Sequence, residues 1–235
     1  TYKQNNVHDF AWFADKRYHV LKGEVELPSS KRKVTLWSMF TNSEPELWSK
    51  SIEYMSDAIE FYSSQIGEYP YNQVTAVDGT ISAGTGMEYP NVTVIGQSFS
   101  PFMLEVVITH EIGHNWFYGM LGNNERLNGW MDEGINSYYE MQYVLHKYPP
   151  QLFGNKNEME GIGIFGKLLG ADQFNYKAMN LNEYLFSART WNNQPLNLPS
   201  TSFTEINYGV IMYKKTAIVF DYLKDVLGDS LFKTC

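Results

Sequence analysis

The spacing of apolar residues divides the chain into a strand-rich first part and a helix-rich second part. Runs rich in β-branched and aromatic residues predict strands over 7–13, 18–27, 34–40, 73–77 and 92–95. Between the third and fourth runs, Ser43 and Glu46 form a capping box, and apolar residues recur at helical spacing from Leu47 to Ile66. This pattern predicts one amphipathic helix that Gly67 ends.

The helical pattern dominates from residue 100 onward. Ser100 is a typical N-cap and Pro101 a typical first helical residue. Apolar residues then wrap most of the circumference as far as about Tyr118, which predicts a buried helix. Further helices are predicted over about 132–146 and 208–227, with mixed, mostly helical structure over 151–200. We therefore expect an α+β fold with a β-rich lobe plus the buried helix at 1–118 and a helical lobe at 119–235.

Composition excludes several classes of protein. The 235 residues are 43% hydrophobic and 16% aromatic, which is typical of a folded chain. With 18 Lys and Arg against 26 Asp and Glu, the net charge is −8, so a nucleic-acid partner is not expected. No apolar run approaches the roughly 20 residues that span a bilayer. The single cysteine, Cys235, excludes a disulfide framework or a thiolate metal site. Because the chain begins with Thr1, we expect part of a longer protein and leave its compartment open.

A metal-binding pattern lies within the predicted buried helix, which contains the sequence HEIGH at residues 110–114. His110 and His114 lie one turn apart on the same helix face, so both imidazoles can reach one ion, unless they are merely packed core residues. Eighteen residues separate His114 from Glu133, whose carboxylate can supply a third ligand. Three protein ligands and one open position are typical of a catalytic zinc site.

These motifs resemble those of the gluzincin aminopeptidases, the aminopeptidase N and leukotriene-hydrolase type. The spacing of the zinc motif and the sequence WMDEG around Glu133 match that family. Residues 86–88, Gly-Met-Glu, resemble its exopeptidase motif, and Tyr208 and Tyr213 lie where its catalytic tyrosine is expected. The resemblance covers almost the whole chain. It implies a thermolysin-like zinc metallopeptidase catalytic domain, with a zinc cleft between a mixed sheet and helices.

The resemblance also implies a role for each site residue. Glu111 is the expected general base toward the attacking water, and Tyr213 is the expected donor to the oxyanion, with Tyr208 as the second candidate. Glu88 is expected to bind the free α-ammonium of a peptide substrate, because a carboxylate accepts hydrogen bonds from a cation. Gly86 is expected to let the substrate backbone approach, and Met87 to line the first side-chain pocket.

The chain departs from the family pattern at three positions. Tyr89 stands where the family usually has Asn, Thr85 where it more often has Gly, and Thr216 where it usually has Gly. Members of the family usually carry a β-rich domain before this region and a helical domain after it, so the resemblance implies flanking domains as partners.

The ligand histidines need hydrogen-bond acceptors that fix their orientation. Glu140 follows Glu133 by seven residues, about two helical turns, so both are expected on one face of the predicted helix. If that helix runs antiparallel to the zinc helix, Glu140 accepts a hydrogen bond from His110, and Asp132 is the candidate acceptor for His114. The alternative is that Glu140 is a solvated helix carboxylate.

Three functions fit this sequence. The first is a zinc aminopeptidase that removes N-terminal residues from peptides. The second is an endopeptidase or an epoxide hydrolase on the same fold, and Glu88 favours the aminopeptidase because an endopeptidase has no need to bind an amine. The third is a zinc-bearing binding module without catalysis, against which the presence of both Glu111 and Tyr213 argues.

Overall fold

The computed structural model describes residues 3–79, 81, 86–148, 175–190 and 193–234. The chain divides into two compact units, Thr1–Gly122 and Asn123–Cys235. Thr85, Cys235 and most of the predicted mixed region at 151–200 lie outside the described residues. Within the described part, no helix is both long and apolar enough to cross a membrane.

The first unit contains one mixed five-stranded sheet. Its strands are β1 (His19–Glu26), β2 (Lys33–Phe40), β3 (Gln73–Asp78), β4 (Gly86–Met87) and β5 (Val92–Ile95). The spatial order is β1-β2-β3-β5-β4. The β2–β3 and β3–β5 pairs are parallel, whereas the two edge strands β1 and β4 run antiparallel to their neighbours. The β-rich first lobe expected from the sequence is therefore confirmed, with a short edge strand formed by the Gly-Met of the exopeptidase-like motif.

Three helices accompany the sheet in this unit: α1 (Pro45–Trp48), α2 (Ser51–Gln65) and α3 (Pro101–Gly113). In β2 the residues Val34, Leu36, Ser38 and Phe40 are buried at alternate positions, which is the pattern of a strand covered on one face. Helix α2 packs on β1 and β2 and also on α3. The buried helix α3 is thereby held close to the sheet.

Two sequence predictions about this unit are wrong in detail. Residues 7–13 form no strand. The first strand is β1, which begins at His19 and pairs only with β2. The predicted helix from the capping box to Ile66 is two helices, and the N-cap of α1 is Glu44 without a side-chain cap. Ser43 instead lies in a turn where its Oγ accepts a hydrogen bond from Thr41 Oγ1 at 3.0 Å.

Helix α3 begins as predicted but ends earlier. The Ser100 side chain caps it by accepting from the Met103 amide at 3.1 Å. The helix ends at Gly113 rather than near Tyr118. The next two amides donate to carbonyls three residues earlier, as in a 3₁₀ turn, Asn115 N to Ile112 O and Trp116 N to Gly113 O. Trp116 then anchors this exit, since its Nε1 donates to the Gly67 carbonyl at 2.7 Å.

The second unit is helical throughout its described residues. Its α-helices are α4 (Glu125–Gly129), α5 (Ile135–Lys147), α6 (Tyr176–Arg189), α7 (Glu205–Asn207), α8 (Thr216–Leu227) and α9 (Asp229–Thr234), with a short 3₁₀ turn at Ser200–Ser202. Helix α5 packs against α8 and α6. This agrees with the helical second lobe expected from the sequence.

Two π-helices interrupt the regular helices in the described residues of the second unit. The first, Trp130–Gly134, leads directly into α5, and the second, Tyr208–Lys215, leads directly into α8. The two π-helices pack against each other. Sequence periodicity predicted continuous α-helices here. The wider i→i+5 winding is frequent at functional sites, and both segments carry residues that the sequence singled out.

Candidate active site

The two histidines of the HEIGH segment come together at the end of α3. Their Nε2 atoms lie 3.1 Å apart, and their rings meet edge-on with centroids 4.8 Å apart. His114 is the C-cap of α3 but keeps right-handed helical dihedrals, so the one-turn spacing from His110 survives the helix end. Both side chains are buried, His114 to 1% exposure.

A backbone carbonyl fixes the orientation of the His114 ring. Its Nδ1 lies 3.0 Å from the Phe117 carbonyl oxygen. Because a carbonyl can only accept, Nδ1 carries the proton and Nε2 keeps its lone pair. The Phe117 carbonyl is thus an acceptor for His114 that the sequence did not predict, and the role expected for Asp132 stays a prediction. No residue type encodes a backbone acceptor, which is why the sequence did not reveal it.

The histidine pair fits a zinc ion. Tetrahedral zinc bound to imidazole at its usual bond lengths holds two nitrogen ligands roughly 3.3 Å apart. The 3.1 Å separation of the two Nε2 atoms is close to this value. A neutral imidazole held in one tautomer by a carbonyl is also the usual state of a zinc-binding histidine.

Two carboxylates lie beside this pair within the first unit. Single ligand-type atoms of Glu88, Glu111 and His114 all lie within 4.8 Å of one another. Glu111 is buried, at 6% exposure, whereas Glu88 is half-buried. Two ionised carboxylates at such a distance repel each other unless a cation lies near them. The arrangement is therefore suited to hold positive charge, whether of a metal or of an ammonium group.

Edge strand β4 lies directly against Glu111. A Cβ atom built on Gly86 would overlap the Glu111 carboxylate. The register of β4 on β5, with Gly86 opposite Ile95 and Met87 opposite Val94, fixes this approach. From the sequence, Gly86 was expected to let a substrate backbone approach. The structure adds that the absence of a side chain on Gly86 leaves room for the Glu111 carboxylate.

In the second unit, the first π-helix carries Asp132 and Glu133. Both carboxylates are buried. Asn123 Nδ2 donates to Asp132 Oδ1 at 2.7 Å, which orients the Asp132 side chain. Gly134 follows directly, and a Cβ there would lie 2.7 Å from Cβ of Thr216 and 2.9 Å from the Met212 carbonyl oxygen. The glycine lets the two π-helices approach closely.

The two candidate tyrosines lie together on the second π-helix. The Tyr208 and Tyr213 rings meet edge-on with centroids 5.8 Å apart. Residues five apart share a side of a helix with i→i+5 winding, so the π-helix explains this contact. Thr216 Oγ1 donates to the Ile211 carbonyl at 3.0 Å, which supports the carbonyl of a neighbouring turn. Both phenols are half-buried, and which one faces a substrate stays a prediction.

Glu140 is buried on α5, at 8% exposure, so the alternative of a solvated carboxylate is wrong. Tyr176 Oη donates to Glu140 Oε1 at 2.5 Å. Tyr176 lies 36 residues further along the chain on α6, and nothing in the sequence pattern connects the two. The predicted hydrogen bond from His110 to Glu140 stays a prediction.

Sequence reasoning also missed Asn115, which connects α3 to the strand that follows the exopeptidase-like motif. Asn115 Oδ1 accepts from the Asn91 amide at 2.8 Å, and its Nδ2 donates to the Ile112 carbonyl at 2.8 Å. Asn91 has a positive φ of 54° and begins the segment that becomes β5. The position of Asn115 directly after His114 was the one available signal.

Comparison with known proteins now identifies the family. A model described as "Peptidase family M1 domain" matches residues 50–235. Because this match covers most of the chain, the chain belongs to peptidase family M1. The resemblance to gluzincin aminopeptidases expected from the sequence is thereby confirmed.

Curated relatives are similar over shorter stretches. Human aminopeptidase Q is 34% identical over 70 residues, covering 30% of this chain and 7% of that protein. Mouse aminopeptidase Q and human endoplasmic reticulum aminopeptidase 2 are each 27% identical over 130 residues, covering 55% and 54% of this chain but 21% and 11% of those proteins. This chain therefore matches only a small part of each relative.

Solved structures confirm the fold. The M1 zinc metallopeptidase from Deinococcus radiodurans has a TM-score of 0.65 at 18% identity, with 92% of this chain and 42% of that chain covered. A mutant of that protein bound to the substrate Tyr-Ser-Ala has a TM-score of 0.58 at 15% identity, with the same coverage. The chain spans less than half the length of these neighbours.

Proposed function

We propose that the chain is the catalytic part of a zinc aminopeptidase, which hydrolyses the first peptide bond of substrates with a free N-terminus. The main support is a cluster in which ligand-type atoms of Glu88, Glu111 and His114 lie within 4.8 Å of one another. The imidazole of His110 faces that of His114 beside this cluster. The proposed amine anchor, the proposed base and a proposed metal ligand therefore lie in one place. Membership of peptidase family M1 supports the same function.

His110 and His114 would hold the zinc ion through Nε2. Glu133, which eighteen intervening residues separate from His114, is the proposed third ligand on the strength of that spacing and of the family motif. When bound, zinc acts as a Lewis acid that lowers the pKa of a coordinated water to about 7 and polarises a carbonyl. The carbonyl of Phe117 keeps His114 in the tautomer that this binding needs.

Glu111 is the proposed general base. Its carboxylate takes a proton from the attacking water as the new C–O bond forms, and later delivers that proton to the leaving amine as the peptide C–N bond breaks. Burial beside Gly86 restricts the carboxylate to a narrow range of positions, which favours proton transfer at one defined point. Tyr213 is the proposed hydrogen-bond donor to the oxyanion, with Tyr208 as the second candidate.

Glu88 is the proposed anchor for the α-ammonium group. A substrate cation between Glu88 and Glu111 relieves the repulsion of two neighbouring carboxylates, which favours a free N-terminus over a blocked one. Met87, on the same edge strand, is proposed to line the first side-chain pocket. The curated relatives are named aminopeptidases, which supports this substrate class.

An endopeptidase or epoxide hydrolase on the same fold is the alternative enzyme, and a zinc-bearing binding module is the alternative without catalysis. The closeness of Glu88 to Glu111 favours the aminopeptidase over an endopeptidase and over the binding module. An endopeptidase has no use for a second carboxylate beside the base, and a binding module has no use for a buried base.

Flanking domains of a longer protein are the proposed intramolecular partners. Helix α8 leaves an apolar face exposed, with residues spaced at i, i+3, i+4 and i+7; these are Val219, Tyr222, Leu223 and Val226. A stripe of this kind is unusual on a free surface and typical of an interface. The short coverage of the structural neighbours, 42%, leaves ample room for such domains.

A substrate-pair assay tests the proposal. Aminoacyl p-nitroanilides and their N-acetylated forms are compared on the purified chain, with and without 1,10-phenanthroline and with zinc added back. We expect hydrolysis of the free-amine substrates only, loss of activity with the chelator, and recovery with zinc. Equal hydrolysis of blocked substrates would favour an endopeptidase, and stoichiometric zinc without hydrolysis of either substrate would favour the binding module.

A further inference from the structure

Tyr118 has a backbone conformation that L-amino acids rarely adopt. Its φ is +122°, four residues after the proposed zinc ligand His114. A bulky aromatic residue with a positive φ is a conformational outlier, and it persists only where the surrounding structure imposes it. Outliers of this kind are concentrated at functional sites, so the position calls for a physical explanation.

The local turn shows why the positive φ arises. The Gly119 amide donates to the His114 carbonyl at 2.8 Å, which closes a six-residue turn directly after α3. In this turn the residue before the donor, here Tyr118, takes the positive φ. Glycine is the usual residue at that position because it has no Cβ. This chain has tyrosine there instead, one position before its glycine.

The peptide unit that precedes Tyr118 carries the acceptor for His114. The Phe117 carbonyl belongs to that unit, and its oxygen accepts from His114 Nδ1 at 3.0 Å. The φ of Tyr118 and the ψ of Phe117 together set the plane of this peptide. A tyrosine held at one positive φ therefore restricts the carbonyl, whereas a glycine would leave the peptide free to rotate.

The side chain of Tyr118 is held from the N-terminal arm, which we define as residues 3–18. The His8 and Tyr118 rings meet edge-on, with centroids 4.3 Å apart and an interplanar angle of 79°. The arm is attached to the rest of the unit near this contact, because Tyr71 Oη donates to the Asn6 carbonyl at 3.3 Å. The Tyr118 ring thus has a contact from outside the turn, which favours one position of its side chain.

We propose that Tyr118, held by His8, is a positioning residue for His114. By fixing the Phe117 carbonyl, it keeps the His114 ring in the Nδ1–H tautomer and directs Nε2 toward His110. The inference rests on the proposed function, in which His114 binds zinc. Hydrogen-bond partners of this kind usually change metal affinity by roughly 10–100-fold when they are lost.

Two measurements on the full chain test the inference. The first is the zinc dissociation constant, measured by competition with a chromogenic chelator. The second is the tautomer of His114 in the metal-free chain, read from the ring ¹⁵N shifts after selective histidine labelling. The second needs no metal, so it separates a failure of this inference from a failure of the proposed zinc site.

For Tyr118→Gly we expect zinc to bind roughly 10-fold more weakly or worse, and His114 to become a mixture of tautomers. A glycine is favoured at the positive-φ position of the turn, so the unfolding midpoint of the metal-free chain should not fall in proportion. Tyr118→Phe keeps the ring and should retain both the zinc affinity and the tautomer. In Tyr118→Gly, weaker zinc binding without a matching fall of the unfolding midpoint would show that Tyr118 positions His114. A purely structural role of Tyr118 would lower both together.

His8→Ala removes the ring contact and leaves the turn sequence intact. His8 is exposed, so its loss creates no cavity in the core. We expect a shift of zinc affinity and tautomer in the same direction as Tyr118→Gly. Phe10→Ala is the matched control, because Phe10 lies on the same arm and is 61% exposed; it should change neither readout.

Unchanged zinc affinity with a single His114 tautomer in Tyr118→Gly would overturn the inference. Weaker zinc binding that merely follows a lower unfolding midpoint, with the tautomer intact, would also overturn it and indicate a structural role. A wild-type chain with the Nδ1–H tautomer but no zinc binding would support the positioning of the ring and contradict the proposed function.

Discussion

The backbone of Gly86 lies against the carboxylate of Glu111, with no space for even a methyl group between them. Gly86 belongs to the edge strand β4, and Glu111 to the buried helix α3. The sequence motif that resembles an exopeptidase signature therefore contributes more than substrate contacts. Its glycine also determines where the proposed base can sit.

Gly86→Ala should lower kcat by roughly 10²-fold, because the added methyl group displaces the Glu111 carboxylate and misplaced catalytic groups lose about that much. Zinc content should stay near that of the wild type, since neither histidine is touched. Steady-state kinetics together with metal analysis measure both effects. Val20→Ala, on the other edge strand β1 at a position that is 51% exposed, is the control and should keep kcat. An unchanged kcat for Gly86→Ala would contradict the steric coupling.

Glu111→Gln should lower kcat by roughly 10²–10⁴-fold while zinc stays bound, because an amide cannot take the proton from water but the ligands are intact. Metal analysis of the purified variant and kinetics on an aminoacyl p-nitroanilide measure this. Retained turnover would mean that another group is the base.

Tyr213→Phe should lower kcat by roughly 10²–10³-fold with little change in KM, the usual effect of removing one donor to an oxyanion. Tyr208→Phe is the matched control, because the two rings are in contact on the same π-helix. A larger loss for Tyr208→Phe would reverse the assignment of the two tyrosines.

Glu88→Gln should raise KM for substrates with a free α-ammonium, because it removes the negative charge and keeps the shape. N-acetylated peptides should be cleaved no worse than by the wild type. The ratio of kcat/KM for the two substrate types is the measurement. An equal loss on both types would indicate that Glu88 supports the site in general rather than the amine.

Glu140→Ala should weaken zinc affinity by roughly 10–100-fold if Glu140 accepts a hydrogen bond from His110. Tyr176→Phe is an informative comparison, because it removes the described 2.5 Å hydrogen bond to Glu140 and leaves the carboxylate in place. We expect a smaller loss for Tyr176→Phe, measured by chelator competition. Equal affinity of Glu140→Ala and wild type would show that the prediction from helix spacing was wrong.

The sequence by itself determined the local parts of the candidate site. The one-turn spacing of His110 and His114 guarantees that both imidazoles share a helix face, because helical geometry depends only on neighbouring residues. The Ser100 cap was predicted for the same reason, since its bond to the Met103 amide spans three residues. The motif set was also specific enough to show the resemblance to the gluzincin aminopeptidases, which membership of peptidase family M1 confirms.

The tertiary structure decided which distant groups meet. Glu88 and Glu111 are 23 positions apart in the sequence, and they come together because β4 pairs with β5 at the edge of the sheet. Sheet order depends on which strands pair, and no local pattern specifies it. The strand predicted over 7–13 failed for this reason, since its residues suit a strand but no partner strand pairs with them.

The sequence also did not predict which backbone groups accept hydrogen bonds at the site, or where the helices have π winding. The acceptor for His114 is the carbonyl of Phe117. Every residue has a backbone carbonyl, so the residue type at position 117 does not predict this hydrogen bond. The π-helices over 130–134 and 208–215 have the composition of ordinary helices. The two segments pack closely at Gly134, and that contact joins residues far apart in the chain, which no local pattern specifies.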